Sequence, residues 1–217
     1  MTIDTTAVDE HMIALWPHRP AEAPDTVAHR LAEWARMMPE VVRYWRTPTS
    51  WFDDTPEQAR RALATPARPN AHQDGVFGGA LSAAALVDMH QAELTLLAGS
   101  AADGPRFPTQ RVAVRWRGHG DVPEETARRG MDATARAWEP AFVVWFDAPS
   151  PQQREYQPAI SGRRVLGGRR LWLPAAGPQI EVLAPGAEAE PFAGGTLLTD
   201  TGGRGQAVRD TLALNWG

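Results

Sequence analysis

Residues 137–147, AWEPAFVVWFD, contain the change from helix to strand on which the fold prediction depends. The apolar residues that lead into this stretch recur at steps of 4, 3 and 4, which places them on one face of a helix. They are Ala127, Met131, Thr134 and Trp138. Pro140 ends the helix because its ring clashes with the preceding turn and it has no backbone N–H to donate. The apolar run 142–146 then predicts a strand that is covered on both faces.

Outward from this stretch, the same patterns predict alternating strands and helices. Residues 111–117 alternate strictly between apolar and other side chains, so they predict a strand with one buried face. The remaining predicted strands are 12–16, 80–87, 94–98, 169–173, 180–183 and 196–199. The remaining predicted helices are 25–38, 56–64 and 206–214, and the helix before Pro140 is predicted to begin at a cap formed by Asp121.

The order of these elements predicts the fold class. Consecutive strands occur as well as strand–helix–strand units, which indicates an α+β fold: a single domain in which a mixed, largely antiparallel sheet packs with three to four helices. Residues 1–10 are predicted to be a flexible acidic tail, and residues 11–217 the domain. Strand, loop, helix and aromatic cluster recur in a similar order in both halves. This favours either a pseudo-repeat of 11–105 and 106–217 or the ordinary appearance of any strand–helix unit.

The composition excludes several kinds of chemistry. The 217 residues include no cysteine, which excludes disulfides, thiolate metal sites and a cysteine nucleophile. All 22 basic residues are arginine, so a Schiff-base lysine and a phosphate-loop lysine are excluded as well. No apolar run approaches the roughly 18 residues that span a bilayer, and the N-terminus does not resemble a secretion signal. The sequence therefore predicts a cytoplasmic protein that binds no membrane.

The net charge of −4 argues against nucleic-acid binding by the surface as a whole. Residues 1–104 hold 14 acids and 8 arginines, a net of −6, whereas residues 105–217 hold 12 acids and 14 arginines, a net of +2. The N-terminal half is thus the better candidate for meeting a basic partner. The alternative is that these acids solvate helix faces, and both interpretations stay open.

Motifs for catalysis are weak in this chain. The 6 histidines are scattered and form no HExxH, and no serine lies in a nucleophile elbow. The segment 200–205, DTGGRG, lacks the spacing of a phosphate-binding loop and is better explained as a turn into the last helix. These patterns predict no metal and no cofactor. The alternative hypothesis is a small metal-dependent or His/Asp hydrolase, whose residues would be His72, Asp74, Asp88 and His90.

The segment 49–54, TSWFDD, is the best candidate for a contact surface. It joins two short helices, and its aromatic residues stand beside carboxylates, which is typical of protein interfaces. In the alternative interpretation, the two aromatic side chains fold back as a lid on the core. The predicted partner-binding residues are Trp51, Phe52, Asp53 and Asp54, with Arg68 and Asp74 as a second group.

Short motifs in a fixed order along most of the chain resemble the bacterial immunity protein 52 family. In the N-terminal part they are 15–19 (LWPHR), Glu22, 28–31 (AHRL), Pro39 and Trp45. Further on they are 68–70 (RPN), Asp74-Gly75, 94–99, 138–140 (WEP) and 194–198 (GGTLL). Each motif is short, and their common order carries the resemblance.

This resemblance implies a function and a partner. Members of the family are predicted antidotes in polymorphic-toxin or type VI secretion systems, encoded beside a toxin that often has a nuclease domain. The chain would then be a cytoplasmic, non-enzymatic protein that binds and neutralises its cognate toxin. Besides this hypothesis and the hydrolase, a subunit of a larger assembly stays open, and the sequence leaves the oligomeric state undecided.

Overall fold

The structure, a computed structural model, describes most of the chain. The described residues are 7–16, 22–38, 44–64, 68–69, 79–87, 90–98, 110–147, 159–160, 163–164 and 168–216. The helices are α1 (Pro24–Met37), α2 (Pro56–Ala64), α3 (Glu124–Trp138) and α4 (Gln206–Trp216). The strands are β1 (Ala7–Trp16), β2 (Trp45–Arg46), β3 (Trp51–Phe52), β4 (Arg68–Pro69), β5 (Gly79–Val87), β6 (His90–Ala98), β7 (Gln110–His119), β8 (Phe142–Asp147), β9 (Ala159–Ile160), β10 (Arg163–Arg164), β11 (Arg170–Pro174), β12 (Ala187–Phe192) and β13 (Gly195–Asp200). None of the helices within these ranges combines the length and the apolar character needed to cross a bilayer.

Within the described residues, 11 strands form one sheet in the order β12-β13-β11-β8-β1-β7-β6-β5-β2-β3, with β4 paired to β5. β9 and β10 form a separate pair. Every pairing between the described strands is antiparallel. The long central strand β1 pairs with β7 over its full length and with β8 on its other side. The predicted α+β class, with one largely antiparallel sheet and three to four helices in a single domain, is confirmed.

One face of the sheet is covered by α1, α2 and α3, which enclose the larger core. The indole N–H of Trp34 on α1 donates a hydrogen bond of 3.0 Å to the Thr134 hydroxyl on α3 and so joins the two helices. Beneath them, the rings of Trp116 and Trp145 pack with centroids 4.5 Å apart. Burial of each such side chain stabilises the fold by roughly 1.5–3 kcal/mol relative to exposure, so the apolar stripes read from the sequence become the contact surface of the helices.

The second face of the sheet is only partly covered by a helix. α4 places Val208 and Leu212 against the outward side chains of β8, β11 and β13. These side chains are Val144, Leu171 and Leu198, which together with α4 form a smaller core. Residues 142–145 are therefore buried from both sides, as the continuous apolar run predicted, whereas Phe146 is only partly buried.

Two elements near the C-terminus differ from the prediction. The strand predicted at 180–183 is wrong, because the side-chain amide of Asn215 on α4 takes the place of a strand partner. It accepts the N–H of Val182 at 3.2 Å and donates to the carbonyl of Val182 at 2.8 Å. The edge strand β12 was not predicted, because its sequence AEAEPF is polar and an edge strand pairs on one side only.

The predicted tail 1–10 is also partly wrong, since β1 begins at Ala7. Glu10 is only 1% exposed. Its carboxylate accepts the backbone N–H of Val122 at 2.8 Å and the indole N–H of Trp145. Burying a carboxylate costs much less free energy when it accepts two hydrogen bonds than when it has no partner. Glu10 therefore belongs to the core, although its place in the predicted acidic tail had indicated exposure to solvent. Residues 1–6 lie outside the described residues.

The two strand–helix units at the centre of the fold lie side by side. β1 and β7 are antiparallel neighbours, and the helix that follows each of them, α1 or α3, packs on the same face of the sheet. That a duplication produced the halves 11–105 and 106–217 stays a prediction.

Candidate functional site

Beyond the area under α4, the second face of the sheet carries one row of cross-strand neighbours. From β3 to β8, the row is Trp51, Arg46, Ala84, Glu93, Arg115, His11 and Phe146. Seven strands at a spacing of about 4.8 Å make the row roughly 29 Å long. We call this row, with its same-face neighbours, the open face. The neighbours are Asp9, Ser82, Thr95, Ala113 and Arg117.

The two sides of these strands differ in exposure. On β6 and β7 the side chains that point towards the helices, such as Leu94 and Val114, are buried. The alternate side chains Glu93 and Arg117 remain 35% and 45% exposed. Antiparallel sheets commonly bury one face and solvate the other in this way. The open face is therefore a stiff, polar surface that solvent reaches in the described part of the chain.

At the edge of the sheet, the row ends in an exposed group that we call the edge cluster: Tyr44, Arg46 and Trp51. The rings of Tyr44 and Trp51 meet edge to face with centroids 6.2 Å apart. The guanidinium of Arg46 lies 5.4 Å from the centroid of the Tyr44 ring and donates to the Tyr44 hydroxyl at 3.2 Å. Both aromatic side chains are 44% exposed. Exposed aromatic side chains and arginine are enriched at protein contact surfaces.

Alternation along the β2–β3 hairpin separates the edge cluster from the core. Trp45 and Phe52 point inward, and their rings stack with centroids 6.3 Å apart and an interplanar angle of 7°. The turn is closed by the N–H of Thr47, which donates to the Ser50 carbonyl at 2.9 Å, and by the N–H of Ser50, which donates to the Thr47 hydroxyl at 2.8 Å. A buried aromatic base and a short turn thus hold the exposed rings in one arrangement.

The middle of the open face is a network of ion pairs. Arg115 donates to both carboxylate oxygens of Asp9, with an Nε–Oδ1 distance of 2.6 Å, and Arg117 lies 3.4 Å from Glu93. The hydrogen bond from Arg115 lowers the pKa of Asp9, against the opposing effect of burial. The same bond raises the pKa of Arg115. Asp9 and Arg115 therefore stay ionised and neutralise each other in place.

His11 lies at the inner end of this network. Its ring stacks on Phe146 with centroids 5.4 Å apart and an interplanar angle of 9°, and its Nε2 lies 3.1 Å from Asp9. Burial lowers the pKa of His11, and nearby Arg115 acts in the same direction, while Asp9 and Glu93 oppose them. The folded protein therefore favours the neutral imidazole.

We expect the protein to lose stability between pH 7.5 and pH 5.5, and the variant His11→Gln to lose less. As the pH falls below about 6.5, the ordinary pKa of histidine, His11 binds a proton in the unfolded chain but not yet in the folded chain. The free energy of unfolding therefore decreases until the pH passes the lower pKa of His11 in the folded protein. Thermal unfolding of both proteins at both pH values measures the effect, and an identical pH dependence would contradict it.

The predicted contact residues Trp51 and Phe52 fall on opposite sides of the hairpin. Trp51 is exposed in the edge cluster, as a contact residue must be, and its contact with a partner stays a prediction. The prediction that Phe52 lies on the contact surface is wrong, because its ring is fully buried against Trp45. The lid interpretation thus holds for Phe52 alone.

The two acids that follow have local partners. Asp53 accepts the N–H of Thr55 at 2.9 Å and its hydroxyl at 2.6 Å, and so fixes the chain just before α2. Asp54 is exposed and lies 3.8 Å from Arg36 at the end of α1. Neither acid lies in the row of the open face, although both remain accessible beside the edge cluster.

The second group of predicted contact residues and the hydrolase residues lie largely beyond what the structure describes. Arg68 begins β4 and His90 begins β6, but their side chains lie outside the described residues, as do His72, Asp74 and Asp88. The hydrolase hypothesis therefore stays a prediction. Among the side chains that are described, no group of three histidine or acidic residues is placed to hold a metal ion.

Sequence reasoning missed Tyr44 and Arg46. The signal that could have found them is the alternation of 44–46 (YWR) and 51–52 (WF) across the turn-forming segment 47–50 (TPTS). Two short alternating segments around such a turn are typical of a hairpin. That pattern places every second side chain on the face that carries Trp51.

The segment 200–205 is a turn, as predicted, and a carboxylate of the protein occupies the position that an anion would take. Asp200 accepts the N–H of Gly202 at 2.7 Å and the N–H of Ala207, in the first turn of α4, at 3.2 Å. Gly205 has φ +75°, and a Cβ on it would lie 2.8 Å from the main chain of Gly168. The close approach of the two chain segments therefore requires glycine at 205.

We expect Gly205→Ala to lower the free energy of unfolding by about 3 kcal/mol, from left-handed strain together with the clash against Gly168. Gly203→Ala is the matched control, because Gly203 has φ +73° but no atom within 4 Å of the added Cβ. It should cost only the strain, about 1 kcal/mol. Urea unfolding of both variants measures the difference, and equal midpoints would contradict the account of the turn.

The acid excess of the N-terminal half does not form a continuous acidic surface in the described part of the chain. Besides the buried Glu10, six of its carboxylates lie no more than 3.8 Å from an arginine nitrogen. They are Asp9, Glu22, Asp25, Asp54, Glu57 and Glu93. Exposed pairs of this kind contribute little to stability, but they cancel charge locally. The net charge of this half therefore gives little support to the predicted long-range attraction of a basic partner.

A cleft of about 270 Å³ lies between α1 and α2, lined by Ala28, His29, Pro56, Glu57 and Arg60. Two of its polar groups are engaged within the protein. Arg60 pairs with Asp25 across the two helices, and the Nδ1 of His29 lies 2.7 Å from the carbonyl oxygen of Asp25. The pair of Arg60 and Asp25 fastens α1 to α2, whereas the contact of His29 lies within α1.

Comparisons with known proteins place the chain in no family. No protein-family model matches it, and no curated protein does. Among solved structures, the chain is similar to the Pseudomonas aeruginosa T6SS protein PA0821, with 10% sequence identity and a TM-score of 0.42, over 89% of this chain and 68% of that chain. A likeness of this size assigns neither family nor function.

Proposed function

We propose that this protein is a cytoplasmic immunity protein that binds and neutralises the toxin domain of a polymorphic-toxin or type VI secretion system, and that it catalyses no reaction. The observation that carries the proposal is the edge cluster: two half-exposed aromatic rings and an arginine, held on a buried base at the end of a sheet. The ordered motifs that resemble the immunity protein 52 family favour the same class of partner.

The edge cluster has the composition of an energetic hot spot. Tryptophan, tyrosine and arginine are the residues whose truncation most often costs 2 kcal/mol or more of binding energy. Their rings are already in contact before a partner arrives. Less conformational entropy is therefore lost on binding than with mobile side chains. Such a preformed anchor suits a protein that must capture a toxin tightly and quickly.

The open face supplies the remaining area. A stable protein interface buries about 800 Å² on each partner, and a row roughly 29 Å long on a sheet can contribute an area of that order. Its ion pairs are satisfied within the protein, so a partner can cover them without leaving a charge unpaired. Neutralisation would then follow from occlusion, in which the stiff sheet blocks the toxin's active site or its substrate groove.

The test is co-expression with the toxin-like protein encoded by the neighbouring gene. We expect the two proteins to co-purify as a stoichiometric complex, and the purified protein to abolish the toxin's activity in a direct assay. A neighbouring toxin whose activity is unaffected by an excess of the folded protein would overturn the proposal.

A further inference from the structure

Arg46 differs from the other arginines of the neighbouring elements. Among the described residues, Arg30, Arg36, Arg60 and Arg61 on α1 and α2 each pair with a carboxylate. The contacts of Arg46 are instead with Tyr44, through the hydroxyl and the ring face. No described carboxylate lies within ion-pair distance of its guanidinium. A full positive charge thus stands beside two aromatic rings at the outer edge of the sheet.

The chemistry of this position favours one kind of ligand. A guanidinium presents five donors in a plane and binds a carboxylate through two parallel hydrogen bonds. Stacking against a ring orients that plane and leaves its outer edge free to bind. The neighbouring rings exclude water from one side, which strengthens an ion pair formed there. Tyr44 and Trp51 would meanwhile contact the apolar carbons around the bound acid.

We propose that Arg46 is the specificity contact of the toxin-binding surface, and that it binds the carboxylate of an aspartate or glutamate on the toxin domain. This inference rests on the proposed function and adds the chemistry of the partner's contact: an acidic side chain framed by apolar groups. The arginine supplies charge complementarity, while the two aromatic side chains supply buried area.

A phosphate of a nucleic acid fits this surface less well than a single carboxylate. Binding to a nucleic-acid backbone draws on several cations spaced along a groove. The other arginines of the open face, Arg115 and Arg117, are already neutralised by Asp9 and Glu93. The whole chain carries a net charge of −4, which repels a polyanion. An arginine without a described carboxylate partner, at the edge of a face whose Arg115 and Arg117 are paired, matches one acid of a protein contact better than a chain of phosphates.

The experiment measures the dissociation constant for the toxin domain encoded by the neighbouring gene, using wild type, Arg46→Glu, Arg46→Lys and the control Arg204→Glu. Arg204 is exposed in the turn that joins β13 to α4, near the edge of the sheet opposite to β2 and β3. Its substitution by glutamate changes the net charge by the same amount as Arg46→Glu. Circular dichroism confirms that each variant is folded. We expect Arg46→Glu to weaken binding about 100-fold and Arg46→Lys about 10-fold, because lysine keeps the charge but not the planar pair of donors. Arg204→Glu should change binding less than about 3-fold.

The outcomes separate this inference from the function on which it rests. If wild type does not bind the toxin domain, the proposed function fails and the inference fails with it. If wild type binds and Arg46→Glu binds equally well, the inference alone is overturned. It is also overturned if wild type binds a DNA duplex and Arg46→Glu abolishes that binding, because the ligand would then be a phosphate. A loss confined to the Arg46 variants supports it.

Discussion

Replacing Glu10 by alanine lowers the free energy of unfolding by about 4 kcal/mol, the cost of orphaning buried donors and removing a buried charge. The carboxylate accepts the N–H of Val122, just before α3, and the indole N–H of Trp145 on β8. Without it, both donors stay buried and unpaired. Arg169, whose Nη1 lies 3.8 Å from the carboxylate, also loses a partner. A loss of this size is a large share of the 5–15 kcal/mol by which domains are stable.

Urea unfolding followed by tryptophan fluorescence measures this loss. The free energy of unfolding of Glu10→Gln should lie between those of wild type and Glu10→Ala. The amide oxygen of glutamine still accepts one hydrogen bond, while its NH₂ group faces the other donor. Glu33→Ala is the control, because Glu33 is exposed on α1 and its loss should change stability by less than about 0.5 kcal/mol. A change of under about 1 kcal/mol in Glu10→Ala would show that the carboxylate does not hold α3 and β8 on β1.

Trp51→Ala and Phe52→Ala, at adjacent positions, are expected to have opposite effects. Trp51 lies in the edge cluster, so its truncation should weaken toxin binding at least about 30-fold and leave stability within about 0.5 kcal/mol of wild type. Phe52 is fully buried against Trp45, so its truncation should cost about 3–5 kcal/mol of stability through a cavity in the core.

Binding titrations and thermal melts on the same preparations separate the two effects. If Trp51→Ala lost stability as Phe52→Ala does, the exposed indole would be part of the core, and the hairpin would not divide into a buried and an exposed side. If Trp51→Ala bound the toxin as wild type does, the edge cluster would not be the anchor of the interface.

The local elements of the fold could be predicted because their causes are local. The 4-3-4 stripe that ends at Trp138, the stop at Pro140 and the apolar run 142–146 all reappear in α3 and β8. The start of α3 was less predictable. The expected cap at Asp121 is absent: the N-cap position of α3 is Pro123, which makes no side-chain cap, and the approach to the helix is fixed by Glu10 from 112 residues away.

The site was less accessible to prediction because it depends on pairing across the sheet. The alternation of 111–117 placed Arg115 on the outer side of its strand, but nothing local to the sequence says that Glu93 and His11 are its neighbours. Trp51 could be selected by type and surroundings alone. The partners that give it a role, Tyr44 and Arg46, became visible only when the hairpin register was known.

The most direct test of the central claim, that the open face meets the toxin, exploits the absence of cysteine from the chain. Ser82→Cys places a single thiol on the open face. Glu33→Cys places one on the exposed side of α1, which packs on the other face of the sheet. Each variant is coupled to a bulky maleimide and assayed for neutralisation of the toxin. We predict that the adduct at position 82 abolishes neutralisation and that the adduct at position 33 leaves it intact. Full neutralisation by the protein labelled at position 82 would contradict the account.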